Sequence, residues 1–488
     1  MMKEMTCLEI AGVCKGKFFG TEEEGKKIIA GIGIDSRKIE KDWVFGATVG
    51  ERADGHSFIP QVFEKQAACV ISERTLENPA GPYILVESTF QALRDIGAYY
   101  RSLLDIKIVG ITGSVGKTST KEMVAAVLSE KFKVQKTFKN LNNEVGVPLT
   151  LFSIGKEHEA AVVEMGISDF GEMTRLGKMV KPDVMVITNI GQSHLENLKS
   201  RDGILKAKTE VFNEMDDSSE VVLNGDDDKL SAISQVHGKK PHFFSMENTE
   251  AEVYATDIVS QGLFGSDCIL HIGEETIKVH VPLPGGHMVL NAIGAAAVAA
   301  VLGLTPEEIA RGIAKAKAVE GRGELIRANG YTIIDETYNA NPASMRAAID
   351  LLAMANTRKV AVMGDMFELG QNTEVLHRRI GVYCIQKNID VIVCIGELAR
   401  HMAEGAKEES ALEKERKMES GRKAYDGEGG AKEKDAAEKS ETEIYYFENK
   451  EMFLERLSGI LKPEDAVLLK ASHGMEFGRL LEVFTLNG

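Results

Sequence analysis

Apolar and polar residues follow one another along this chain in blocks that are typical of buried strands leading into helices. Between residues 106 and 227, short apolar runs end repeatedly at glycine or polar residues, as in "IKIVGIT", "AAVVEMG", "VMVITNIG" and "EVVLNGDD". The first of these runs continues through a glycine-containing loop into "KTSTKEMVAAVLSE", whose apolar positions fit one face of a helix. Alternation of this kind predicts a parallel sheet covered by helices on both faces.

Two further regions flank this central one. Residues 1–104 mix short apolar runs such as "AACVIS" and "PYILV" with turn-rich stretches, and a third α/β pattern starts at "GRGELIRANGYTIIDETYNANP". It continues through "KVAVMGDMFELG", "DVIVCIGELA" and "DAVLLKASHGM". A chain of 488 residues is too long for one ordinary domain. We therefore predict an α/β protein with domains over 1–104, 105–318 and 319–488.

One segment of the third domain breaks the pattern. Residues 404–443, "EGAKEESALEKERKMESGRKAYDGEGGAKEKDAAEKSETE", are rich in charges of both signs and poor in large apolar side chains. Such a segment cannot bury enough apolar surface to offset the entropy lost on ordering. We expect a solvated insertion that is disordered or loosely helical, and a role in partner binding is left open.

Composition narrows the functional classes. The net charge of −16 argues against a nucleic-acid partner held through its phosphates. Six widely spaced cysteines without a CxxC pair predict reduced, buried thiols of a cytosolic protein. The N-terminal residues lack the sustained apolar segment of a secretory signal, and "GAAAVAAVLGL" (294–304) is too short to span a bilayer. We expect a cytoplasmic protein without a membrane span, and a buried Ala-rich helix at 294–304.

A phosphate-binding loop follows the strand "IKIVGIT". The stretch from Gly113 to Thr118 is G-x-x-G-K-T, with two residues between the glycines where the common P-loop has four. Backbone N–H groups of such a turn, together with the start of the next helix, bind phosphate oxygens. We expect Lys117 to reach the β- and γ-phosphates and the Thr118 hydroxyl to bind Mg²⁺. The predicted nucleotide contacts of the loop are Thr112, Gly113, Ser114, Val115, Gly116, Lys117 and Thr118.

Polar residues also follow other predicted strands, and their residue types alone do not define their roles. In "VVEMG", Glu164 lies at the end of the buried strand, in a position suited to a Mg²⁺ ligand. His194 follows the strand in "VITNIG". Lys206 and Lys208 follow His194 within a helical stretch. A lone histidine is more often structural than a ligand, and a helix lysine is normally a surface cation.

Taken together, these motifs resemble the Mur ligases, ATP-dependent enzymes that join an amino acid or peptide to a UDP-linked precursor of peptidoglycan. The family's loop has the same short spacing, T-G-[ST]-x-G-K-T. Further stretches that carry the resemblance are "NLNNEVGVPLTL", "TNIGQSHLENLKS", "KAKTEVF", "DETYNANPASM" and "MGDMFELG". Within the family they are most similar to the branch that adds D-alanyl-D-alanine to UDP-N-acetylmuramoyl-tripeptide. A sister ligase that adds a single amino acid is the alternative in this class, and a P-loop ATPase acting through protein partners is the alternative outside it.

The resemblance implies a fold and a reaction. The fold would comprise an N-terminal UDP-precursor-binding domain, a central ATP-binding domain and a C-terminal Rossmann-like domain. The γ-phosphate of ATP would pass to the terminal carboxylate of the tripeptide, and the D-alanyl-D-alanine amine would attack the resulting acyl phosphate. Cations are needed because a carboxylate and a polyphosphate repel each other. We expect a monomer whose partners are these small-molecule substrates.

The resemblance also implies the metal ligands. One Mg²⁺ would be held by Thr118 and Glu164, and a second by His194 and a lysine carbamylated by CO₂. That lysine matches Lys208 in "KAKTEVF", with Lys206 as the competing candidate. A carbamate supplies the oxygen ligands that Mg²⁺ prefers.

Further nucleotide contacts follow from the same resemblance. Asn291 lies in an H-x-x-x-N-A pattern after His287 and would meet the adenine edge, although Met288 stands where relatives often have asparagine. Arg322 would contact the nucleotide phosphates. Asp335 would accept a hydrogen bond from the ribose, and Glu336 stands where the family often has a second aspartate.

Substrate contacts are implied in all three domains, each beside a plainer structural reading. Ser36 and Arg37 are candidates for the uracil or diphosphate, although Asp35 to Arg37 can equally form a turn. We expect Asn142 and Asn143 to contact the peptide arm of the precursor. The candidates in the C-terminal domain are Asn339, Asn341, Asp365, Glu368, Lys470, Ser472 and His473. Asparagine is also common in a turn before a proline such as Pro342.

Overall fold

The computed structural model describes residues 2–50, 53–191, 193–318, 321, 323–367, 369–425 and 441–486. The chain divides into two compact units. The first unit comprises Met1–Ile258, Asp267–Val281 and His287–Ala316. The second unit comprises Val259–Ser266, Pro282–Gly286 and Lys317–Gly488. The strands form three sheets, which confirms the predicted mixed α/β class. The three domain boundaries stay a prediction.

The N-terminal sheet has five strands in the order β1-β5-β4-β3-β2, and all neighbours are parallel except β1 and β5. Its strands are β1 (Lys17–Phe19), β2 (Gly31–Gly33), β3 (Trp43–Gly46), β4 (Cys69–Ser72) and β5 (Tyr83–Leu85). Its helices are α1 (Cys7–Val13), α2 (Glu22–Gly25), α3 (Ile59–Glu64) and α4 (Thr89–Leu103), with a 3₁₀ turn at Gly55–Phe58.

Helix α4 joins this sheet to the core that follows. Ser88 caps its N-terminus by accepting a hydrogen bond from the Gln91 N–H. Its buried residues lie three or four positions apart, on one face, and include Ile96 and Tyr100. The Tyr100 hydroxyl donates to the Ile154 carbonyl at 2.6 Å, so a buried polar group is satisfied where the elements of the first unit meet.

The central sheet has nine strands in the order β14-β13-β12-β11-β10-β9-β6-β8-β7. Its strands are β6 (Lys107–Thr112), β7 (Val134–Lys136), β8 (Ala160–Glu164), β9 (Val184–Ile187), β10 (Glu220–Asn224), β11 (His242–Ser245), β12 (Val253–Ser260), β13 (Ser266–Ile272) and β14 (Glu275–Val281). Its helices are α5 (Lys117–Leu128), α6 (Gly146–Phe152), α7 (Glu172–Val180), α8 (Leu195–Leu198), α9 (Arg201–Thr209), α10 (Gly286–Val301) and α11 (Pro306–Ala314), with 3₁₀ turns at Glu210–Glu214 and Gly262–Phe264.

The strands from β7 to β12 in this sheet are parallel, as predicted. Strand β6 lies between β8 and β9, so the carboxyl ends of all three meet at one edge of the sheet. Helix α10 contains the predicted Ala-rich segment, which is largely buried. In the part of the chain that is described, no helix has the length and apolar character to cross a membrane. All six cysteines are buried free thiols.

The third sheet has six strands in the order β15-β16-β20-β17-β18-β19. Its strands are β15 (Glu324–Ala328), β16 (Tyr331–Glu336), β17 (Lys359–Gly364), β18 (Val391–Ile395), β19 (Glu443–Phe447) and β20 (Ala466–Lys470). Its helices are α12 (Pro342–Ala353), α13 (Thr373–Gln386), α14 (Arg400–Tyr425), α15 (Lys450–Ile460) and α16 (Gly478–Leu486), with 3₁₀ turns at Gly370–Asn372 and His473–Met475. All neighbours are parallel except β15 and β16, which form a hairpin.

The charged segment 404–443, which was predicted to be disordered or loosely helical, is helical in its first half. Helix α14 runs through its first half to Tyr425, and β19 begins at its last residue, while residues 426–440 lie outside the described residues. The start of α14 packs closely on α13, because a Cβ on Gly381 would lie 1.9 Å from the Met402 carbonyl oxygen. Arg378 of α13 also pairs with Glu404 at 2.7 Å. The small residues at this crossing supply packing that composition alone did not reveal, and residues 404–425 follow the helical alternative of the prediction.

Candidate active site

The phosphate loop lies where three parallel strands of the central sheet end. Ile111 of β6 pairs with Glu164 at the end of β8, and Thr112 pairs with Ile187 at the end of β9. The predicted loop, Thr112 to Thr118, therefore leaves the sheet between Glu164 and the segment that follows β9. Helix α5 begins directly after the loop, at Lys117, as predicted.

Both glycines of the loop are required by its geometry. Gly116 lies at the N-cap of α5 with a φ of 81°. Residues other than glycine rarely adopt this left-handed conformation, because their Cβ disfavours it. A Cβ on Gly113 would lie 1.9 Å from Thr188 Oγ1, closer than any real contact. The loop thus runs against its neighbour too closely for any side chain at position 113.

Lys117 and Thr118 are the first two residues of α5, directly after the loop. Lys117 Nζ donates to the Gly113 carbonyl at 2.8 Å, so the ammonium folds back over the loop. Thr118 is buried, and its hydroxyl donates to Glu164 Oε1 at 3.2 Å. The two residues that were predicted to share one Mg²⁺ are therefore adjacent.

The Glu164 carboxylate is 1% exposed and is held at one oxygen only. Oε1 accepts hydrogen bonds from Thr118 and from Asn142 Nδ2, the latter at 2.8 Å. Oε2 is one of three buried side-chain polar atoms without a hydrogen-bond partner among the described residues, and Thr112 Oγ1 is another. A buried acceptor left open is costly unless a ligand completes it. This donor set, a hydroxyl beside a carboxylate oxygen, fits a hard cation such as Mg²⁺.

Lys121 is a buried cation near this carboxylate that the sequence analysis did not single out. It is 1% exposed, and its Nζ donates to the Thr137 carbonyl at 2.8 Å and lies 3.9 Å from Glu164 Oε2. Thr137 Oγ1 in turn accepts a hydrogen bond from the Glu164 N–H at 2.9 Å. Its place one turn after Lys117 on α5 was the signal available in the sequence.

Lys208 and Lys206 occupy opposite surroundings on α9. Lys208 is 1% exposed, whereas Lys206 is exposed and lies over the Phe170 ring at 6.0 Å. Burial, with a smaller contribution from the nearby charge of Lys117, lowers the pKa of Lys208 to about 7. Of the two lysines, Lys208 is therefore the buried one and the one whose charge interacts with Lys117 of the phosphate loop, while its carbamylation stays a prediction.

His194 lies on the loop after β9 and is exposed. Its backbone has a φ of 54°, and its carbonyl accepts the Leu198 N–H at 3.0 Å, so it begins α8. Within the described residues, no three or more His, Cys, Asp and Glu side chains are grouped to hold a metal ion. A metal role for His194 stays a prediction.

Asn291 contacts the start of α5 from helix α10. It is buried, and its Oδ1 accepts a hydrogen bond from the Thr120 hydroxyl at 3.1 Å. A Cβ on Gly116 would lie 3.7 Å from the same oxygen, so Asn291 reaches the phosphate loop itself. Its Nδ2 donates to Met288 Sδ at 3.5 Å.

The predicted substrate residues of the N-terminal sheet form a compact turn. Arg37 is exposed and donates two hydrogen bonds to the Asp35 carboxylate, both at 2.9 Å. These bonds fit the turn over Asp35 to Arg37 that was the alternative to a substrate contact. Ser36 is buried, and its carbonyl accepts from Lys65 Nζ at 2.8 Å. Contacts of Ser36 and Arg37 with a uridine diphosphate group stay predictions.

The two asparagines of the "NNEVGVP" loop have structural tasks that differ from the predicted ones. Asn142 holds Glu164, as described above. Asn143 Oδ1 accepts the N–H groups of Val145 and Gly146, at 3.2 and 2.9 Å, at the start of α6. Glu144, the residue after Asn143, accepts a hydrogen bond from Arg175 Nη2 at 3.0 Å. Contact of either asparagine with the peptide arm stays a prediction.

In the second unit, Asp335 is a buried turn anchor. Its Oδ2 accepts the Gly321 N–H at 3.0 Å, and its Oδ1 accepts the Thr337 hydroxyl at 2.7 Å. Arg322, the predicted phosphate contact, lies outside the described residues. The ribose contact of Asp335 stays a prediction.

Lys470 at the end of β20 meets a carboxylate of the chain itself. It is 1% exposed, and its Nζ donates to Glu336 Oε2 at 2.8 Å and to the Asn339 carbonyl at 3.0 Å. Asn339 Oδ1 accepts the His473 N–H at 3.3 Å. The parallel pairing of β16 with β20 puts Glu336 opposite Lys470.

The remaining candidates of this sheet are mostly engaged in its loops. Asn341 caps α12, as the turn reading expected. Asp365 Oδ1 accepts the Ala399 N–H at 2.7 Å, and burial raises the pKa of the Asp365 carboxyl. Ser472 Oγ accepts the Phe367 N–H at 2.8 Å. Glu368 lies outside the described residues.

Comparison with known proteins gives a consistent result. The Mur ligase middle domain matches residues 111–299, the Mur ligase glutamate ligase domain matches residues 321–473, and the Mur ligase family catalytic domain matches residues 28–100. UDP-N-acetylmuramoyl-tripeptide–D-alanyl-D-alanine ligase of Bacillus subtilis (strain 168) is 37% identical over 414 residues, which cover 83% of this chain and 88% of that protein.

Solved structures agree. The crystal structure of MurF from Acinetobacter baumannii has a TM-score of 0.83 and 30% identity, with 99% of each chain covered. The MurF ligase from Thermotoga maritima in complex with ADP has a TM-score of 0.75 and 27% identity, with 93% of this chain and 96% of that chain covered.

Proposed function

This chain belongs to the Mur ligase family, and we propose that it is the ATP-dependent ligase that joins D-alanyl-D-alanine to UDP-N-acetylmuramoyl-tripeptide. The family resemblance expected from the sequence is confirmed, as is the three-domain Mur ligase architecture that it implied. Relatives named for this reaction include the Bacillus subtilis protein described above and the one of Escherichia coli (strain K12), which is 33% identical.

The observation that carries the proposal is the juxtaposition of three groups at the edge of the central sheet. The short phosphate loop leads into Lys117 and Thr118, the Thr118 hydroxyl donates to Glu164, and the charge of Lys117 contributes to the lowered pKa of the buried Lys208 amine. Phosphoryl transfer to a carboxylate brings negative charges together, and this edge gathers the cationic and metal-binding groups that offset them.

The residues of the chain divide the work of the reaction. Lys117 would hold the transferred phosphate together with the loop amides other than those of Ser114 and Val115, which donate to Asn189. Thr118 and Glu164 would bind one Mg²⁺. His194 and a carbamylated Lys208 would bind a second Mg²⁺. These ions, when bound, neutralise the phosphate oxygens and so let the tripeptide carboxylate approach. Lys117 adds a fixed positive charge at the same place.

Lys208 is suited to carbamylation by its burial. A neutral amine adds to CO₂ with formation of an N–C bond and release of one proton. Because burial lowers the pKa of Lys208 to about 7, a much larger share of this side chain carries the neutral amine near neutral pH than of an ordinary lysine. The product carries a negative carboxylate-like group, which would also relieve the repulsion between Lys208 and Lys117.

The outer contacts are assigned by the same family pattern. Asn291 would meet the adenine, Arg322 and Asp335 the phosphates and the ribose, and Ser36 and Arg37 the uridine diphosphate. The peptide arm falls to Asn142 and Asn143, and the dipeptide to Asn339 and Lys470. The six buried free thiols support a cytoplasmic location. A monomer stays a prediction.

The test is phosphate release from ATP by the purified full-length protein. We expect release to require both UDP-N-acetylmuramoyl-tripeptide and D-alanyl-D-alanine, with a product heavier by the dipeptide residue mass. If a single amino acid replaces the dipeptide with equal efficiency, the chain is a sister ligase. If release needs neither peptide reactant, the chain is an ATPase of another kind and the proposal is wrong.

A further inference from the structure

The segment that follows β9, Thr188 to Gly191, grips the tip of the phosphate loop. Asn189 Oδ1 accepts the Val115 N–H at 3.0 Å, and Asn189 Nδ2 donates to the Val115 carbonyl at 2.9 Å. Thr188 Oγ1 donates to the same carbonyl at 2.8 Å. Both polar backbone groups of Val115 are therefore held by side chains of the neighbouring segment.

Two more hydrogen bonds extend this grip to Ser114. The Ser114 N–H donates to the Asn189 carbonyl at 3.1 Å, and the Gly191 N–H donates to Ser114 Oγ at 2.9 Å. Val115 itself is 51% exposed, so no hydrophobic core holds the tip of the loop. The order of this part of the loop depends on hydrogen bonds from residues 188–191.

Asparagine is well matched to this task. Its carboxamide places one acceptor and two donors at the end of a short side chain, so that it can pair with the N–H and the carbonyl of one residue at once. Aspartate lacks the donor and serine is too short to make both bonds. With only two residues between Gly113 and Gly116, the loop has few groups of its own that could hold the Val115 N–H and carbonyl.

We propose that Asn189 is a positioning residue for the nucleotide, which sets the backbone of the short phosphate loop before ATP binds. Fixing a residue of the backbone costs conformational entropy, and a loop that is already ordered avoids this cost at binding. Loss of the grip should therefore weaken nucleotide affinity and leave turnover at saturating ATP nearly unchanged. The inference rests on the proposed function only in that the nucleotide is an adenine nucleotide.

The first test is calorimetric binding of ADP to the full-length protein. We expect Asn189→Ala to weaken ADP binding by about tenfold, because the free loop loses two of the hydrogen bonds that order it and must then be ordered when ADP binds. Asn189→Asp should weaken it at least as much, because an acceptor then opposes the Val115 carbonyl. Asn197→Ala is the matched control, since Asn197 Nδ2 donates to the Ser168 carbonyl at 3.2 Å, away from the loop.

A second readout separates positioning from general damage. In the phosphate-release assay, Asn189→Ala should raise the KM for ATP while the KM for the UDP-linked tripeptide stays unchanged. Thr188→Val removes one donor to Val115 and keeps the side-chain shape, so it should give a smaller rise in the same direction. Unchanged ADP affinity in both variants, or equal losses for both substrates, would overturn the proposal. Wild-type protein that binds ADP but forms no amide would refute the proposed function alone.

Discussion

Lys208→Met removes the most strongly perturbed charge of the candidate active site. Lys208 is 1% exposed on α9, and burial lowers its pKa from 10.5 to about 7. Methionine has a similar length and no charge, so it can occupy the same space without desolvating an ammonium group. We expect the variant to be more stable than the wild-type protein when neither CO₂ nor metal is present.

The magnitude and its pH dependence follow from the two pKa values. Between about pH 7 and 10.5 the unfolded chain keeps the proton that the folded chain has released, so the free energy of unfolding of the wild type rises with pH. Each pKa unit is worth about 1.36 kcal/mol, so the lowered pKa of Lys208 costs the folded wild type a few kcal/mol at neutral pH. The advantage of Lys208→Met should be of this order below about pH 7, decrease as the pH rises above about 7, and be largely lost near pH 10.5.

The assay is urea unfolding in chelator and bicarbonate-free buffer, followed through the transition of the unit that carries Lys208. Lys206→Met is the matched control, because Lys206 lies two residues away on the same helix and is exposed. It should change the free energy of unfolding by less than about 0.5 kcal/mol, without a pH trend. An advantage of Lys208→Met that does not shrink as pH rises, or a loss of stability at every pH, would refute the reasoning.

Three other substitutions test separate parts of the structure. Gly113→Ala should abolish ADP binding measured by calorimetry, because its Cβ would lie 1.9 Å from Thr188 Oγ1; retained binding would contradict this geometry. Glu164→Gln should raise the Mg²⁺ concentration for half-maximal phosphate release by at least about tenfold, because the open anionic oxygen is lost. An unchanged Mg²⁺ dependence would exclude Glu164 as a ligand. Glu336→Gln should lower the free energy of unfolding of the second unit by about 2 kcal/mol in denaturant titration, because it leaves buried Lys470 without its carboxylate; no change would show that the pair is dispensable.

The central part of the molecule is the part that the sequence predicts well. The apolar runs that end at Thr112 and Glu164 have no other reading than buried parallel strands, and such strands bring their carboxyl ends together. The G-x-x-G-K-T spacing then requires a tight loop before a helix, which Gly116 provides. The choice of Lys208 over Lys206 rested on the family pattern, and burial agrees with it.

The contacts within the site were less accessible from sequence. Nothing in the spacing of Asn142 and Glu164, which are 22 positions apart, shows that one donates to the other. Likewise, the hydrogen bond from Asn189 Nδ2 to the Val115 carbonyl, at 2.9 Å, depends on the pairing of β6 with β9. Such contacts arise from tertiary packing and leave no local periodic signal.

Three features of the fold were missed in the sequence for different reasons. Asn329 and Gly330 both have positive φ, so "NG" forms the two-residue turn of the β15–β16 hairpin, a signal that the sequence analysis did not use. The edge strands β12 to β14 were not predicted, because their exposed positions carry many polar residues and their apolar runs are short. The charged composition of α14 hid the packing of Gly405 against α13.

The most direct test of the central claim follows one oxygen atom through the reaction. If the phosphate loop presents ATP to the terminal carboxylate of the tripeptide, one carboxylate oxygen attacks the γ-phosphate and becomes the bridging oxygen of the acyl phosphate. When the amine attacks the carbonyl carbon, that oxygen leaves with the phosphate. UDP-N-acetylmuramoyl-tripeptide labelled with ¹⁸O in this carboxylate should therefore yield inorganic phosphate that carries one ¹⁸O, measured by mass spectrometry. Amide product accompanied by phosphate without the label would contradict the account.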